Sequence, residues 1–124
     1  MKINIAKSAG FCFGVKRAVD TVYKESSKKN VYTFGPIIHN DEVVADLERQ
    51  GVHVINDSKE FKSLSEGTII IRSHGVSKAI YEEILSAGLD LVDATCPFVR
   101  KIHKIVERES GDGRVIIIIG NNHH

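Results

Sequence analysis

The 124-residue sequence contains no tryptophan, one methionine, two prolines and only two cysteines, Cys12 and Cys96. These cysteines lie far apart in the chain, and no C-x-x-C pair is present. A disulfide-rich scaffold needs many more cysteines, and a structural zinc site usually takes its ligands from closely spaced pairs. The shortage of cysteine therefore excludes the first class and argues against the second.

Long apolar segments and an excess of charge are also missing. The longest apolar run, residues 115–119, has the length of a strand, and the N-terminus lacks the apolar core of a signal peptide. Seventeen Lys and Arg oppose sixteen Asp and Glu, which gives a net charge of +1 and no basic footprint for nucleic acid. We expect a cytoplasmic protein that binds neither membrane nor nucleic acid. Its cysteines are then reduced, metal-bound or catalytic.

The sequence does contain a regular alternation of short apolar runs and amphipathic stretches. The runs predict strands at residues 2–6, 31–34, 52–55, 68–71, 89–92 and 114–119, and the stretches predict helices at 15–28, 41–50, 77–86 and 98–109. Continuous apolar strands between helices are typical of an α/β fold, a parallel sheet with helices on both faces. The last predicted strand runs into residues 120–124 with no helix after it, so we expect a piece of a larger protein.

Chemically versatile residues follow the predicted strands, at the edge where an open α/β sheet binds ligands. Cys12 and Cys96 both precede helices, and a thiol at a helix N-terminus ionises more readily and can attack or bind a metal. The other candidates at these turns are His39, Asn40, Ser73, His74, Thr95, Asn121, Asn122, His123 and His124. Together they predict one shared crevice.

Each of these residues also has an ordinary interpretation. A lone cysteine after a strand is often a small buried filler, and a lone histidine often holds a turn or caps a helix. His123 and His124 are also consistent with the remnant of an affinity tag. His53 and His103 lie within a predicted strand and helix and do not fit the crevice. Only the joint occurrence of the others at matching positions favours a site.

Several chemistries suit such a crevice. A cysteine nucleophile paired with histidine would leave the second thiol unexplained. An iron–sulfur cluster usually has four thiolate ligands, so two cysteines would require further ligands or an open iron for substrate. Imidazoles, helix N-termini and small polar side chains suit phosphate oxygens. The residues indicate redox or Lewis-acid chemistry on a small phosphorylated substrate.

Four motifs then resemble a known family over essentially the whole chain. They are Gly10-Phe11-Cys12-Phe13-Gly14-Val15-Lys16-Arg17-Ala18, Ile38-His39-Asn40, Ser73-His74-Gly75-Val76 and Asp93-Ala94-Thr95-Cys96-Pro97. Their order and spacing resemble the 4-hydroxy-3-methylbut-2-enyl diphosphate reductases. The first and the last motif are specific, whereas the two histidine motifs are weak alone.

The resemblance implies a fold, a cofactor and a reaction. Members form a trefoil of three α/β domains around a 4Fe–4S cluster, so residues 1–124 would be the N-terminal domain. Cys12 and Cys96 would be cluster ligands, and His39, His74 and His124 would bind the substrate diphosphate. The enzyme removes a hydroxyl group reductively and yields isopentenyl and dimethylallyl diphosphate in non-mevalonate isoprenoid biosynthesis. Its electrons come from ferredoxin or flavodoxin.

Two family features are missing. The third cysteine ligand belongs to a later domain, and the glutamate expected as proton donor would follow His124, so no catalytic residue is assigned. We therefore expect this chain to be inactive by itself. Two other hypotheses remain open: a free-standing diphosphate-binding or assembly module without catalysis, and a thiol-redox protein that pairs Cys12 with Cys96.

Overall fold

The computed structural model describes residues 1–119. Four α-helices and four β-strands alternate along it, with one 3-10 helix between the second and third strands. In chain order they are α1 (Phe13–Glu25), β1 (Val31–Phe34), α2 (Asp41–Arg49), β2 (Val52–Ile55), the 3-10 helix (Ser58–Ser63), β3 (Thr68–Ile71), α3 (Lys78–Ser86), β4 (Asp90–Asp93) and α4 (Pro97–Gly111).

The strands form one parallel sheet in the order β2-β1-β3-β4. Phe34 pairs with both Ile55 and Ile71, and Ile71 pairs with Asp93, so all four strands end at the same edge. The chain runs outward from β1 to β2 on one side and from β3 to β4 on the other. The order of the strands therefore reverses between β1 and β3, the place where open α/β sheets bind ligands.

Two apolar clusters cover the two faces of this sheet. Crossovers that run in opposite directions along a sheet place their helices on opposite faces when both are right-handed. One cluster, which joins α1 and α2 to the sheet, contains Ala18, Val19, Val22, Val31, Ile37, Ile38, Leu47, Val52, Ile70 and Ala94. The other, which includes α3 and the 3-10 helix, contains Ile55, Phe61, Ile69, Ile71, Ile84 and Leu89. The predicted fold class is confirmed.

Side-chain caps mark the starts of helices α2 and α3. The Asn40 side chain accepts a hydrogen bond from Val43 N at 3.1 Å and starts α2, and Ser77 caps α3 in the same way. Tyr23 Oη donates to Asp46 Oδ2 at 2.7 Å and links α1 to α2. That hydrogen bond raises the pKa of Tyr23 above its usual value of 10.0. The loop before α2, which carries His39, is thus held by a cap and by a fixed helix.

Replacing Asn40 with alanine should lower the free energy of unfolding by about 1 kcal/mol, because the Val43 N–H loses its acceptor. Urea denaturation followed by circular dichroism measures the change. Asn56, an exposed residue after β2, is the matched control, and its replacement by alanine should alter stability by less than about 0.5 kcal/mol. Equal effects at both positions would contradict the assignment of Asn40 as a cap.

Two predicted strands are wrong. Residues 2–6 and 114–119 have no strand structure, and their apolar side chains are largely exposed, with Ile5 at 82% and Ile119 at 94%. A strand requires a neighbour that accepts its backbone hydrogen bonds, and neither segment pairs within residues 1–119. An apolar pattern shows that a segment could form a strand, but it does not provide the partner.

The bounds of other elements differ slightly from the predictions. Helix α1 begins at Phe13 rather than Val15 and ends at Glu25 rather than Lys28, and α4 extends to Gly111. The 3-10 helix was not predicted, although Asp57 and Glu60 form a capping box at its start. Helix α4 contributes no buried residue, so the packed unit runs from α1 to the turn after β4.

Candidate functional site

His39 and His74 lie beside each other where the strand order reverses. His39 follows β1 and His74 follows β3, and these strands are neighbours. Their ring centroids are 5.8 Å apart, with 25° between the ring planes, and both residues are exposed. The expectation that the two strand ends bring these histidines together is therefore correct. The pair presents two imidazoles, each able to donate an N–H to an anionic oxygen.

The guanidinium of Arg72, which no sequence motif indicated, places a positive charge where the strand order reverses between β1 and β3. Arg72 follows β3 directly, and its guanidinium passes close over Gly35, which follows β1. A Cβ placed on Gly35 would be 2.8 Å from Arg72 Nη1, and Gly35 has a φ of +71°. Arg72 Nε is buried without a hydrogen-bond partner among residues 1–119. The Arg-Ser-His sequence directly after an apolar strand was the available signal.

The turn that carries Cys96 is joined to the loop that carries His74. The backbone N–H of Cys96 donates to the carbonyl oxygen of Ser73 at 2.9 Å. The carboxylate of Asp93 closes the turn, because it accepts from Thr95 N and from Arg100 Nη2, each at 2.8 Å. The backbone position of Cys96 is therefore fixed relative to the end of β3.

Cys12 and Cys96 occupy one corner of the molecule. Cys12 is the residue before α1 and Cys96 the residue before α4, and neither side chain caps its own helix. A Cβ placed on Gly14 would overlap Cys96 Sγ and lie 2.9 Å from Cys96 Cβ. Since Gly14 is two residues from Cys12, the first turn of α1 approaches Cys96 directly. The cysteines are not bonded to each other; Cys12 is exposed and Cys96 is partly buried.

The small polar residues expected to bind phosphate serve the fold in different ways. The Asn40 side-chain oxygen is used as a helix cap. Ser73 and Thr95 are buried, with exposed fractions of 5% and 4%. Their backbones hold the Cys96 turn. The Ser73 carbonyl oxygen accepts from the backbone N–H of Cys96, and the Thr95 carbonyl oxygen accepts from Arg17 Nη1 at 3.2 Å. The Asn40 side-chain oxygen is therefore engaged in the fold. His124, Asn121, Asn122 and His123 lie outside the described residues.

His103, which the sequence analysis set aside, lies close to this edge. A Cβ placed on Gly75 would be 2.9 Å from His103 Cε1 and 3.2 Å from Thr95 Cγ2. His103 follows Cys96 by two helical turns, so both lie on the same face of α4. That spacing was the signal that could have found it. His53 lies within β2, as predicted, which is the edge strand next to β1.

Within residues 1–119, no group of three or more His, Cys, Asp or Glu side chains is arranged to hold a metal ion. The two thiols can thus supply part of a ligand set but not a complete one. In the same part of the chain, no helix is both long and apolar enough to cross a membrane.

A family model described as LytB protein matches residues 3–124. The chain belongs to the LytB protein family. Curated relatives of this family are named 4-hydroxy-3-methylbut-2-enyl diphosphate reductase. One from Thermoanaerobacter sp. (strain X514) is 50% identical over 128 residues, and one from Geobacter sulfurreducens is 46% identical over 125 residues. Each match covers 100% of this chain but only 44% and 43% of the relative, so the chain spans less than half of their length.

Solved LytB-family structures have the same fold. The E-1-hydroxy-2-methyl-but-2-enyl-4-diphosphate reductase of Plasmodium falciparum matches 95% of this chain with a TM-score of 0.87 and 35% sequence identity. A second reductase structure, described as the terminal enzyme of the non-mevalonate pathway, matches 98% with a TM-score of 0.80 and 41% identity. The chain covers 37% and 43% of those two proteins. Both confirm the expected family.

Proposed function

We propose that this chain is the N-terminal domain of a three-domain reductase that converts 4-hydroxy-3-methylbut-2-enyl diphosphate to isopentenyl and dimethylallyl diphosphate. The observation that carries the proposal is that the candidate cluster ligands and the candidate diphosphate ligands are connected at one sheet edge. Cys96, at the corner shared with Cys12, is hydrogen-bonded through its backbone to the loop of His74. A metal-binding pair of thiols and an anion-binding pair of imidazoles are thereby held on one rigid support.

The donor set fits a cluster that is completed by other ligands. Cys12 and Cys96 would each provide a thiolate to a 4Fe–4S cluster, and the close approach of Gly14 to Cys96 Sγ leaves no room for a larger residue between them. When bound, such a cluster supplies electrons and a Lewis-acidic iron. Because the sequence has only two cysteines, a third ligand must come from outside residues 1–124.

The histidine pair, His39 and His74, would bind the substrate. We assign His39 and His74 to the diphosphate group, together with His124, which the family resemblance adds. Imidazole N–H groups donate to phosphate oxygens, and the guanidinium of Arg72 contributes positive charge at the same reversal of the sheet. Fixing the diphosphate here would hold the rest of the substrate close to the cysteine corner.

The proposal has consequences for partners and location. Reductive removal of a hydroxyl group requires an external electron donor, for which we propose ferredoxin or flavodoxin. Both cysteines are free, which is consistent with a reducing compartment, and we propose the cytoplasm. Since the chain provides only two of the cluster's ligands, we expect it to show no turnover by itself.

Anaerobic reconstitution with iron and sulfide, combined with calorimetric titration of inorganic diphosphate, tests this function. We expect substoichiometric, labile iron that is lost in both Cys12→Ser and Cys96→Ser. Diphosphate binding should be lost in the His39→Ala, His74→Ala double variant. It should be kept in His53→Ala, which alters a histidine within the edge strand β2. A stable cluster with substrate-dependent electron consumption by this chain would overturn the expected inactivity.

A second candidate function is a diphosphate-binding or assembly module without catalysis. It is favoured by the position of His39, His74 and Arg72, which follow β1 and β3 at one edge of the packed sheet. Diphosphate affinity that is unchanged by iron and by Cys12→Ser, with no iron bound at all, would support this alternative over the reductase.

A further inference from the structure

We infer that His103 is a positioning residue that couples the diphosphate-binding loop to the turn of the candidate cluster ligand Cys96. The inference rests on the proposed function, because it concerns the relative placement of its two parts. Neither the sequence motifs nor the relatives' names assign a role to His103.

The first support is the location of the His103 ring. It lies against Gly75, the residue after His74, at a distance of 2.9 Å from an ideal Gly75 Cβ to His103 Cε1. The Thr95 side chain meets the same point, with Cγ2 at 3.2 Å and Oγ1 at 3.3 Å. Three segments therefore meet there: the loop after β3, the turn after β4 and helix α4.

The second support is the way α4 is oriented. Cys96, Arg100 and His103 share one face of the helix, because they are spaced by about one turn each. Arg100 Nη2 is bound to Asp93 Oδ2 at 2.8 Å, which turns this face toward the ends of β3 and β4. The ion pair is partly exposed, with side-chain exposures of 44% and 28%, so by itself it contributes little to stability. The position of the exposed His103 ring next to Gly75 and Thr95 is a further restraint on the approach of α4.

The third support is the conformation of Gly75. Its φ of +79° is unfavourable for other residues, and the space where a side chain would stand is occupied by His103 and Thr95. The loop is therefore shaped to admit the ring. A movement of the His74 loop would therefore push Gly75 against His103 and Thr95, because groups in close contact cannot approach further. Since Thr95 directly precedes Cys96, the movement would reach the Cys96 turn.

These contacts also line a cleft of about 320 Å³ between α3 and α4, whose polar walls include Asp93, Arg100, His103 and Lys104. The cleft leaves the ring accessible on one side. His103 can therefore be replaced without opening the apolar core, and its variants should remain folded. This makes the role testable in the whole chain.

The test measures two reporters in the 124-residue protein. The alkylation rate of Cys96 reports on the turn, and the ring signals of His74 in NMR spectra report on the loop. Replacing His103 with alanine should raise the Cys96 rate by about twofold or more, which corresponds to the lower end of the coupling energies between residues that share a partner, and should shift the His74 signals. Cys12 alkylation and the His53 signals should not change. His103→Phe, which restores the ring, should recover most of both effects.

A second pair of variants separates crowding from backbone strain. Gly75→Ala and Gly88→Ala both place a side chain at positive φ, +79° and +72°, but no atom of residues 1–119 lies within 4 Å of the Cβ position at Gly88. Only Gly75→Ala should reproduce the changes at Cys96 and His74. Unchanged reporters in His103→Ala, or equal effects of the two glycine variants, would overturn the positioning role.

Inorganic diphosphate then tests the coupling itself. In the unaltered chain, saturating diphosphate should change the Cys96 alkylation rate, and in His103→Ala it should bind without that change. Binding with the same response in both proteins would overturn the coupling. Absence of diphosphate binding in the unaltered chain would instead contradict the proposed function, while the measurements without ligand still decide whether His103 positions the two segments.

Discussion

Replacing Gly14 with alanine should destabilise the protein and prevent Cys12 and Cys96 from binding iron together. The added Cβ would overlap Cys96 Sγ and lie 2.9 Å from Cys96 Cβ, and both neighbours belong to a turn fixed by backbone hydrogen bonds. Overpacking of this kind costs about 1–3 kcal/mol. Thermal or urea unfolding gives the loss of stability, and iron content after anaerobic reconstitution gives the loss of the site.

Gly111 provides the matched control for this experiment. It is also a helical glycine, at the end of α4, but in the described part of the chain nothing lies within 4 Å of the position its Cβ would take. Gly111→Ala should therefore leave iron binding unchanged and leave stability equal or up to about 1 kcal/mol higher, because alanine favours helix. If Gly14→Ala behaved like Gly111→Ala, the close approach of α1 to Cys96 would be refuted.

The protein should associate in solution through the outer face of α4 and the neighbouring Phe13. This surface consists of four apolar side chains, Phe13, Phe98, Ile102 and Ile105, whose exposed fractions are 63%, 69%, 58% and 42%. The centroids of the Phe13 and Phe98 rings are 6.4 Å apart. Contiguous exposed apolar surface favours association. The face is opposite to the one that carries Arg100 and His103, so association would leave those two side chains outside the interface, whereas Phe13 and Phe98 lie next to the cysteine corner.

The double variant Phe98→Ser, Ile102→Ser should raise the dissociation constant for self-association by about 10-fold or more, because a central apolar contact is worth about 2 kcal/mol at an interface. Light scattering across a concentration series measures the change. Leu85→Ser is the control, since Leu85 is an equally exposed apolar residue on α3, at 54%. A protein that stays monomeric at high concentration before any substitution would contradict the prediction.

The sequence patterns identified the four strands of the sheet and the four helices with small errors at their ends. These features are local: apolar residues recur with the period of a strand or helix, and Asn40 and Ser77 provide caps at the starts of α2 and α3. The same local patterns wrongly predicted strands at residues 2–6 and 114–119. A pattern of apolar residues describes a surface that can be buried, and pairing depends on a neighbour elsewhere.

The candidate site divides in the same way. The sequence alone selected Cys12, Cys96, His39 and His74, because their positions after strands and before helices can be read locally, and it placed the chain in its family. Only the tertiary structure determined that β1 and β3 are neighbours, so that His39 stacks on His74. It also placed Arg72 against Gly35 and His103 against Gly75, two close approaches at the same edge of the sheet. Strand order and close packing bring together residues that are distant in the chain, and no local pattern specifies which distant residues will be in contact.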